Sequence, residues 1–219
     1  MGLDHREQHA DLKAVIFDYG EVLCHRPTSQ QFRQLAAFFG LSVERLSPLW
    51  EKNRGPYDCG DLTSEAYWSM LAQDAGIKIG PKEIEEICKL DLTMWSNVNS
   101  NMVDWVGRLR SSGLKVGLLS NMHPEMVTHC RSHFDWLQNF DFVTFSAEAG
   151  IVKPDPAIYE YTLRGLGIRP SAALFLDDRE INIQAARSLG INAIHVRSMK
   201  QLRDDLKSAG FTILPRETS

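Results

Sequence analysis

With 219 residues, 43% of them hydrophobic and 24% charged, the chain is long enough for one sizeable core with an insert, and its composition excludes disordered, collagenous and coiled-coil classes. A formal net charge of -4 disfavours a nucleic-acid partner, because nonspecific affinity for the phosphate backbone comes from Lys and Arg. No run approaches the roughly 20 apolar residues of a membrane-spanning helix. Cys24, Cys59, Cys88 and Cys130 are too scattered for a zinc ribbon or a disulfide framework, so a reduced, cytoplasmic setting without nucleic-acid or membrane partners is expected.

Residues 1–11 read as a loose polar leader, with no apolar signal region and with Arg6 where a myristoylation pattern needs Ser or Thr. The first ordered element is a strand over 13–18, since Ala14, Val15, Ile16 and Phe17 form a continuous apolar run suited to burial on both faces. From Ser29 to about Leu92 the pattern turns helical, with Phe32, Leu35, Ala36 and Phe39 on one face and Gly40 as a stop. Thr63 caps a further helix and Pro81 opens another. An amphipathic helix over 102–109 ends at Ser111, Ser112 and Gly113, and a second apolar strand follows over 114–119. Short apolar runs at 142–145, 173–176 and 193–196 alternate with helical stretches at 155–166 and 181–189, a rhythm that implies a parallel sheet.

Open parallel sheets bind ligands at the carboxyl ends of their strands. The residues at those ends are Asp18, then Ser120 and Asn121, then Asp177 and Asp178. Phosphoryl transfer needs a nucleophile, a cation to offset phosphate charge and donors for the phosphate oxygens. Asp18 can form an acyl phosphate, Asp177 and Asp178 are hard oxygen ligands, and Ser120, neighbouring N–H groups and Lys153 can meet phosphate oxygens.

The segments Phe17-Asp18-Tyr19-Gly20-Glu21-Val22-Leu23, Leu119-Ser120-Asn121, Val152-Lys153-Pro154 and Phe175-Leu176-Asp177-Asp178 resemble, in order and spacing, the four motifs of the haloacid dehalogenase superfamily. The resemblance implies an α/β fold, a Rossmann-like parallel-sheet core over 1–26 and 96–219 with an all-helical cap over 27–95. It implies a magnesium-dependent (Mg2+) phosphohydrolase working through an aspartyl phosphate on a small phosphate ester. By the same resemblance Asp18 is the nucleophile, Ser120 and Asn121 bind the phosphoryl group, and Lys153 stabilises it. Asp18, the Gly20 carbonyl and Asp178 hold magnesium, Asp177 acts on it through water, and Asn182 supports that loop. The chain fits either a monomer or a homodimer.

One departure bears on chemistry. Most phosphatases of that superfamily carry a second Asp two residues after the nucleophile as general acid and base, and here that residue is Gly20. The pattern resembles a branch with Gly at this place that includes glucose-1-phosphate phosphatase, so a sugar phosphate is the expected substrate. Glu21, His25 and His123 are candidates for the missing acid. A haloacid dehalogenase proper, and a phosphate-binding protein impaired in turnover, are the competing readings. His123, His129 and His133 read as surface histidines, the 57–63 segment as either an interhelical loop or a substrate-facing turn, and Trp50, Tyr67, Trp68, Trp95 and Trp105 as core.

Overall fold

A computed structural model describes residues 12–216. Strand β1 (Ala14–Phe17) is followed by five helices: α1 (Ser29–Phe38), α2 (Val43–Lys52), α3 (Arg54–Cys59), α4 (Ser64–Ala75) and α5 (Pro81–Met94). Then come α6 (Ser100–Ser111), β2 (Lys115–Ser120), α7 (Pro124–His133), β3 (Phe142–Phe145), α8 (Ser146–Ala149) and α9 (Pro156–Leu166). The remaining elements are β4 (Ala173–Asp177), α10 (Glu180–Ser188), β5 (Asn192–His195) and α11 (Met199–Ser208). The leader expected over residues 1–11 lies outside the described residues.

The five strands form one parallel sheet in the order β3-β2-β1-β4-β5. The chain runs outward from β1 through β2 and β3, then crosses to β4 on the other side of β1, so the order reverses at β1. Alternation of side chains divides the central strand between two apolar layers. Val15 and Phe17 join Trp105, Leu118 and Leu176 on one face, while Ala14 and Ile16 join Ile158, Phe175 and Ile183 on the other. Burial on both faces explains why β1 is an unbroken apolar run.

Helices α1 to α5 have an apolar cluster of their own, in which Leu35, Phe39, Tyr57, Trp68 and Ile87 are buried. Thr28 and Gln31 form a reciprocal capping box at α1, Thr63 caps α4, and Pro81 stands at the first position of α5. Pro48 stands inside α2, and α3 is only six residues long, so the stretch expected to be helical from Ser29 to about Leu92 divides here into short helices. The chain leaves the sheet and returns to it side by side: Cys24 and Val98 form an isolated antiparallel bridge, the His25 N–H donates to the Asn97 carbonyl at 2.7 Å, and the Asn99 N–H donates to the Leu23 carbonyl at 2.8 Å. Among the described residues no helix is long and apolar enough to cross a membrane, and all four cysteines are free thiols.

Candidate active site

The register of β1 against β4 pairs Phe17 with Leu176, which sets Asp18 level with Asp177 at the carboxyl edge of the sheet. Lys153 reaches this edge from the β3–α9 connection. Its Nζ lies 2.8 Å from Asp18 Oδ1 and 2.7 Å from Asp177 Oδ2, and donates to the Leu119 carbonyl at 3.0 Å. The ammonium is only 4% exposed as a residue. Burial pulls its pKa down, but Asp177 and Asp18 outweigh burial and hold it well above the ordinary lysine value.

Asp177 is fully committed. One oxygen accepts from the Arg179 N–H at 2.8 Å and from Asn182 Nδ2 at 3.0 Å; the other accepts from Lys153 and again from Asn182 at 3.0 Å. Asn182 therefore props Asp177, and its own carbonyl accepts from the Tyr159 hydroxyl at 3.1 Å. Asp178 is half-buried and has no such cradle. Burial, then Asp18, Asp177 and Glu21, push its carboxyl up to about 8. Burial likewise lifts Asp18 to about 6 against the pull of Lys153, with Asp177 adding to the rise.

Asp18, Asp177 and Asp178 bring carboxylate oxygens within 4.8 Å of one another, and among the described residues Lys153 brings its ammonium against Asp18 and Asp177. Elevated carboxyl pKa values in such a cluster mean that negative charge is under-compensated. A hard divalent cation fits this donor set, since it favours oxygen ligands and would relieve that repulsion.

Ser120 is buried at the end of β2, and its hydroxyl makes only a long 3.4 Å contact to the Asn121 carbonyl. It is available to a ligand. The Asn121 side chain is engaged with the Lys153 peptide: Oδ1 accepts from the Lys153 N–H at 2.7 Å and Nδ2 donates to the Lys153 carbonyl at 2.9 Å. It positions the lysine.

At position 20 a Cβ would lie 3.8 Å from Trp95 Cζ3 and 3.9 Å from Asp18 Oδ2, ordinary contact distances. Glu21 next to it is the single non-glycine residue with positive φ among the described residues, at +53°. Such a conformation costs energy unless the surroundings enforce it.

The three candidate acids part company. His25 is exposed and lines a separate cavity beside Val196 and Arg197. Glu21 borders the cleft and lies 3.6 Å from Arg26 Nε. His123 is 2% exposed, against the surface position expected for it. Its Nδ1 is 3.0 Å from Glu125 Oε2, its Nε2 is 3.1 Å from Asp91 Oδ2, and its ring stacks on Tyr57 at 4.6 Å. Both ring nitrogens lie within ion-pair distance of carboxylates, but Nε2 and the Asp91 oxygens make no hydrogen bond. Burial lowers the His123 pKa, but Asp91 and Glu125 more than reverse that. His129 is half-buried against Ser96 at 3.2 Å and stacks on exposed His133 at 4.4 Å, which is no metal site.

Above the edge lies a cleft of about 370 Å³ bounded by Asp18, Ser120, Lys153 and Asp178 below and by Phe32, Trp50, Arg54, Asp58 and Trp95 above. Trp68 and Trp105 are core as expected, at 0% exposure, whereas Trp50 and Trp95 line the cleft. In the 57–63 segment Tyr57 and Asp58 end α3 and only Asp58 reaches the cleft. Sequence reasoning missed Arg54, whose Nε is 3.0 Å from Asp58 Oδ1 and whose Nη1 is 3.9 Å from Asp91 Oδ2. Its i,i+4 spacing to Asp58 within α3 is local, but its approach to Asp91 on α5 is not readable from the sequence.

Residues 12–190 match the family of haloacid dehalogenase-like hydrolases. The chain is 27% identical over 212 residues to Phosphatase MT3486 of Mycobacterium tuberculosis, covering 91% of this chain and 95% of that protein. It is 23% identical over 195 residues to (S)-2-haloacid dehalogenase 4A of Burkholderia cepacia, covering 84% and 83%. Among solved structures it is similar to the enzyme bt-2542 of Bacteroides thetaiotaomicron in complex with magnesium and inorganic phosphate, with 21% identity, a TM-score of 0.66 and coverage of 84% and 93%.

Proposed function

Since this chain belongs to the haloacid dehalogenase-like hydrolases, we propose that it is a magnesium-dependent phosphatase that hydrolyses a small phosphate monoester through Asp18. One observation carries the reading: a buried ammonium bridging Asp18 and Asp177 at 2.8 and 2.7 Å, beside a third carboxylate that lacks a counter-charge. The phosphatase and the magnesium complex among its relatives support the same reading.

In this reading Asp18 attacks phosphorus and forms an acyl phosphate, expelling the alcohol; water then cleaves the acyl phosphate, releasing phosphate and regenerating the carboxylate. Lys153 holds Asp18 in place and offsets charge on the transferred group. Ser120, with a free hydroxyl at the strand end, donates to a phosphoryl oxygen. Asn121 fixes Lys153 through its backbone, and Asn182 fixes Asp177. Asp18, Asp178 and the Gly20 carbonyl would hold magnesium, with Asp177 behind them. When bound, the ion supplies electrostatic stabilisation of the phosphoryl oxygens. The helices from α1 to α5 serve as a cap that narrows the cleft to small substrates. A sugar phosphate, the substrate expected from the sequence, fits a cleft of this size.

A dehalogenase reading keeps Asp18 and needs no acid at position 20, and a dehalogenase is among the relatives. The acidic pair at 177–178 argues against it, because carbon–halogen displacement gives Asp178 no cation to neutralise it. Phosphate release from acetyl phosphate, with and without magnesium and beside Asp18→Asn, tests the proposal. Release that requires both supports it; halide release from 2-chloropropionate without magnesium would replace it.

A further inference from the structure

We propose that His123 is a positioning residue that couples a proton to substrate affinity: as an imidazolium it holds α3 and α5 down over the acidic edge of the sheet, and as a neutral ring it releases them. The effect on affinity rests on the phosphatase reading above. The coupling of the ring to the two helices stands on geometry.

His123 is the N-cap residue of α7, three positions after Ser120, and it borders the same cleft. Helices α3 and α5 come to it from the other side. Its ring stacks on Tyr57 of α3 at 4.6 Å, its Nε2 lies 3.1 Å from Asp91 Oδ2 of α5, and its Nδ1 lies 3.0 Å from Glu125 Oε2 of α7. The Tyr57 hydroxyl donates to that same Glu125 oxygen at 3.0 Å. Beside the ring, Ser146 Oγ accepts from the Met122 N–H at 2.8 Å and donates to the Asp58 carbonyl at 2.6 Å. The loop that carries Ser120 and the end of α3 are thus fastened to each other at one place. A second charged contact across the mouth of the cleft, Arg179 with Glu51 at 4.0 Å, is exposed on both sides, so solvent screens it and it holds little.

What fastens His123 to α5 is charge rather than fitted hydrogen bonds. Both Asp91 oxygens, His123 Nε2 and Arg54 Nη1 are buried without a hydrogen-bond partner, and the His123 and Asp91 side chains are only 3% and 1% exposed. A neutral imidazole would leave the Asp91 carboxylate facing the Arg54 guanidinium at 3.9 Å. A buried charge so poorly compensated is unfavourable until water reaches it. Lifting α3 and α5 admits that water. The charged and titratable groups gathered here are Arg54, Tyr57 and Asp58 on α3, Tyr67 on α4, Cys88 and Asp91 on α5, and Glu125 on α7. Burial holds the two phenols and the Cys88 thiol above their ordinary values. Burial also opposes the Asp91 carboxylate, but His123 and Arg54 outweigh it and hold Asp91 down. His123 is the group in this set whose ordinary titration lies near neutrality, so its proton decides whether the fastening is charged.

The test follows KM and kcat for acetyl phosphate against pH, with magnesium saturating at each point, beside the titration of the His123 ring read from its imidazole nitrogen shifts. Above pH 6.5 KM is expected to rise about tenfold as His123 loses its proton, with the midpoint of the rise at the midpoint of the ring titration. His123→Gln, which never carries the charge, should show the high KM at every pH, and His123→Arg should keep the low KM into the alkaline range. A wild-type KM indifferent to the ring titration, or the same rise in His123→Gln, overturns the inference and leaves the phosphatase reading intact. Should neither variant fold, or should acetyl phosphate not be hydrolysed, amide exchange in the wild-type protein decides. The protection of α3 should fall relative to that of β1 as the ring titrates, and protection that stays level overturns the inference. Absence of Asp18-dependent phosphate release counts against the phosphatase reading alone.

Discussion

Gly20 is where the chemistry of single residues is most open to change. A Cβ there meets nothing closer than 3.8 Å, so Gly20→Asp should be accommodated and should place a carboxyl group beside Asp18. Turnover of phosphate esters with basic alcohols is expected to rise by about 10², read as kcat for glycerol 3-phosphate. Lys153→Met gives the opposite lesson. It strands Asp18 and Asp177 without their ammonium, and a broken buried ion pair costs about 3 to 5 kcal/mol, measurable as a lower urea midpoint together with lost phosphate release. Most residues of the site were legible in the sequence through the order and spacing of the four motifs, since an Asp ending a strand or a Lys-Pro pair is weak alone. That the Asn121 side chain grips the Lys153 peptide was not legible, since that peptide lies 32 positions away. Asp91 and Glu125 were not legible at all: a charged residue on a helix looks solvated until its long-range partners are known.

At the scale of elements, the contact of α3 and α5 with α7 and α8 is a small ionic seam. Tyr57 donates to Glu125 at 3.0 Å, the Ser146 hydroxyl donates to the Asp58 carbonyl at 2.6 Å, and His123 sits between Asp91 and Glu125. His123 has a folded pKa above the ordinary 6.5, so its contribution is complete below 6.5 and fades as pH rises through the raised value. Burial works against the Glu125 carboxylate, yet His123 and its own backbone hold it down at about 2, so its contribution is complete above 4.5 and fades as pH falls toward 2. Stability from the seam should therefore peak between pH 4.5 and 6.5. The urea midpoint followed against pH should show this, and His123→Gln should flatten the alkaline limb. Gly60 seals the same seam: its φ is +86°, and an added Cβ would come within 3.1 Å of the Ala147 carbonyl. Gly60→Ala is expected to cost about 1 to 2 kcal/mol. Strands and capped helices could be read from apolar runs, Thr63, Pro81 and Gly113, whereas the division of α2 from the short α3 could not, because Pro48 lies within α2 and α3 has only six residues.

For the molecule as a whole, the acidic edge of the sheet is a reservoir of instability that a cation discharges. Magnesium at 100 times its dissociation constant should raise stability by about 2.7 kcal/mol, visible as an upward shift in Tm. Asp178→Asn should raise Tm without magnesium, by removing the uncompensated carboxylate, and should lose most of the magnesium-dependent increment. The parallel order of the sheet was legible from its alternating rhythm, but not which strand lies central, since β1 and β4 are joined in space only after most of the chain has passed. The bridge between Cys24 and Val98 has a consequence for how such a protein can diversify. Everything between those two residues leaves and re-enters the sheet through one narrow doorway, so the sheet experiences it as a loop that is already closed. Doubling such a loop costs only about 0.6 kcal/mol. Evolution, or an engineer, can exchange the whole helical attachment and, under the phosphatase function proposed here, the choice of alcohol with it, while the residues at the sheet edge beneath keep their places.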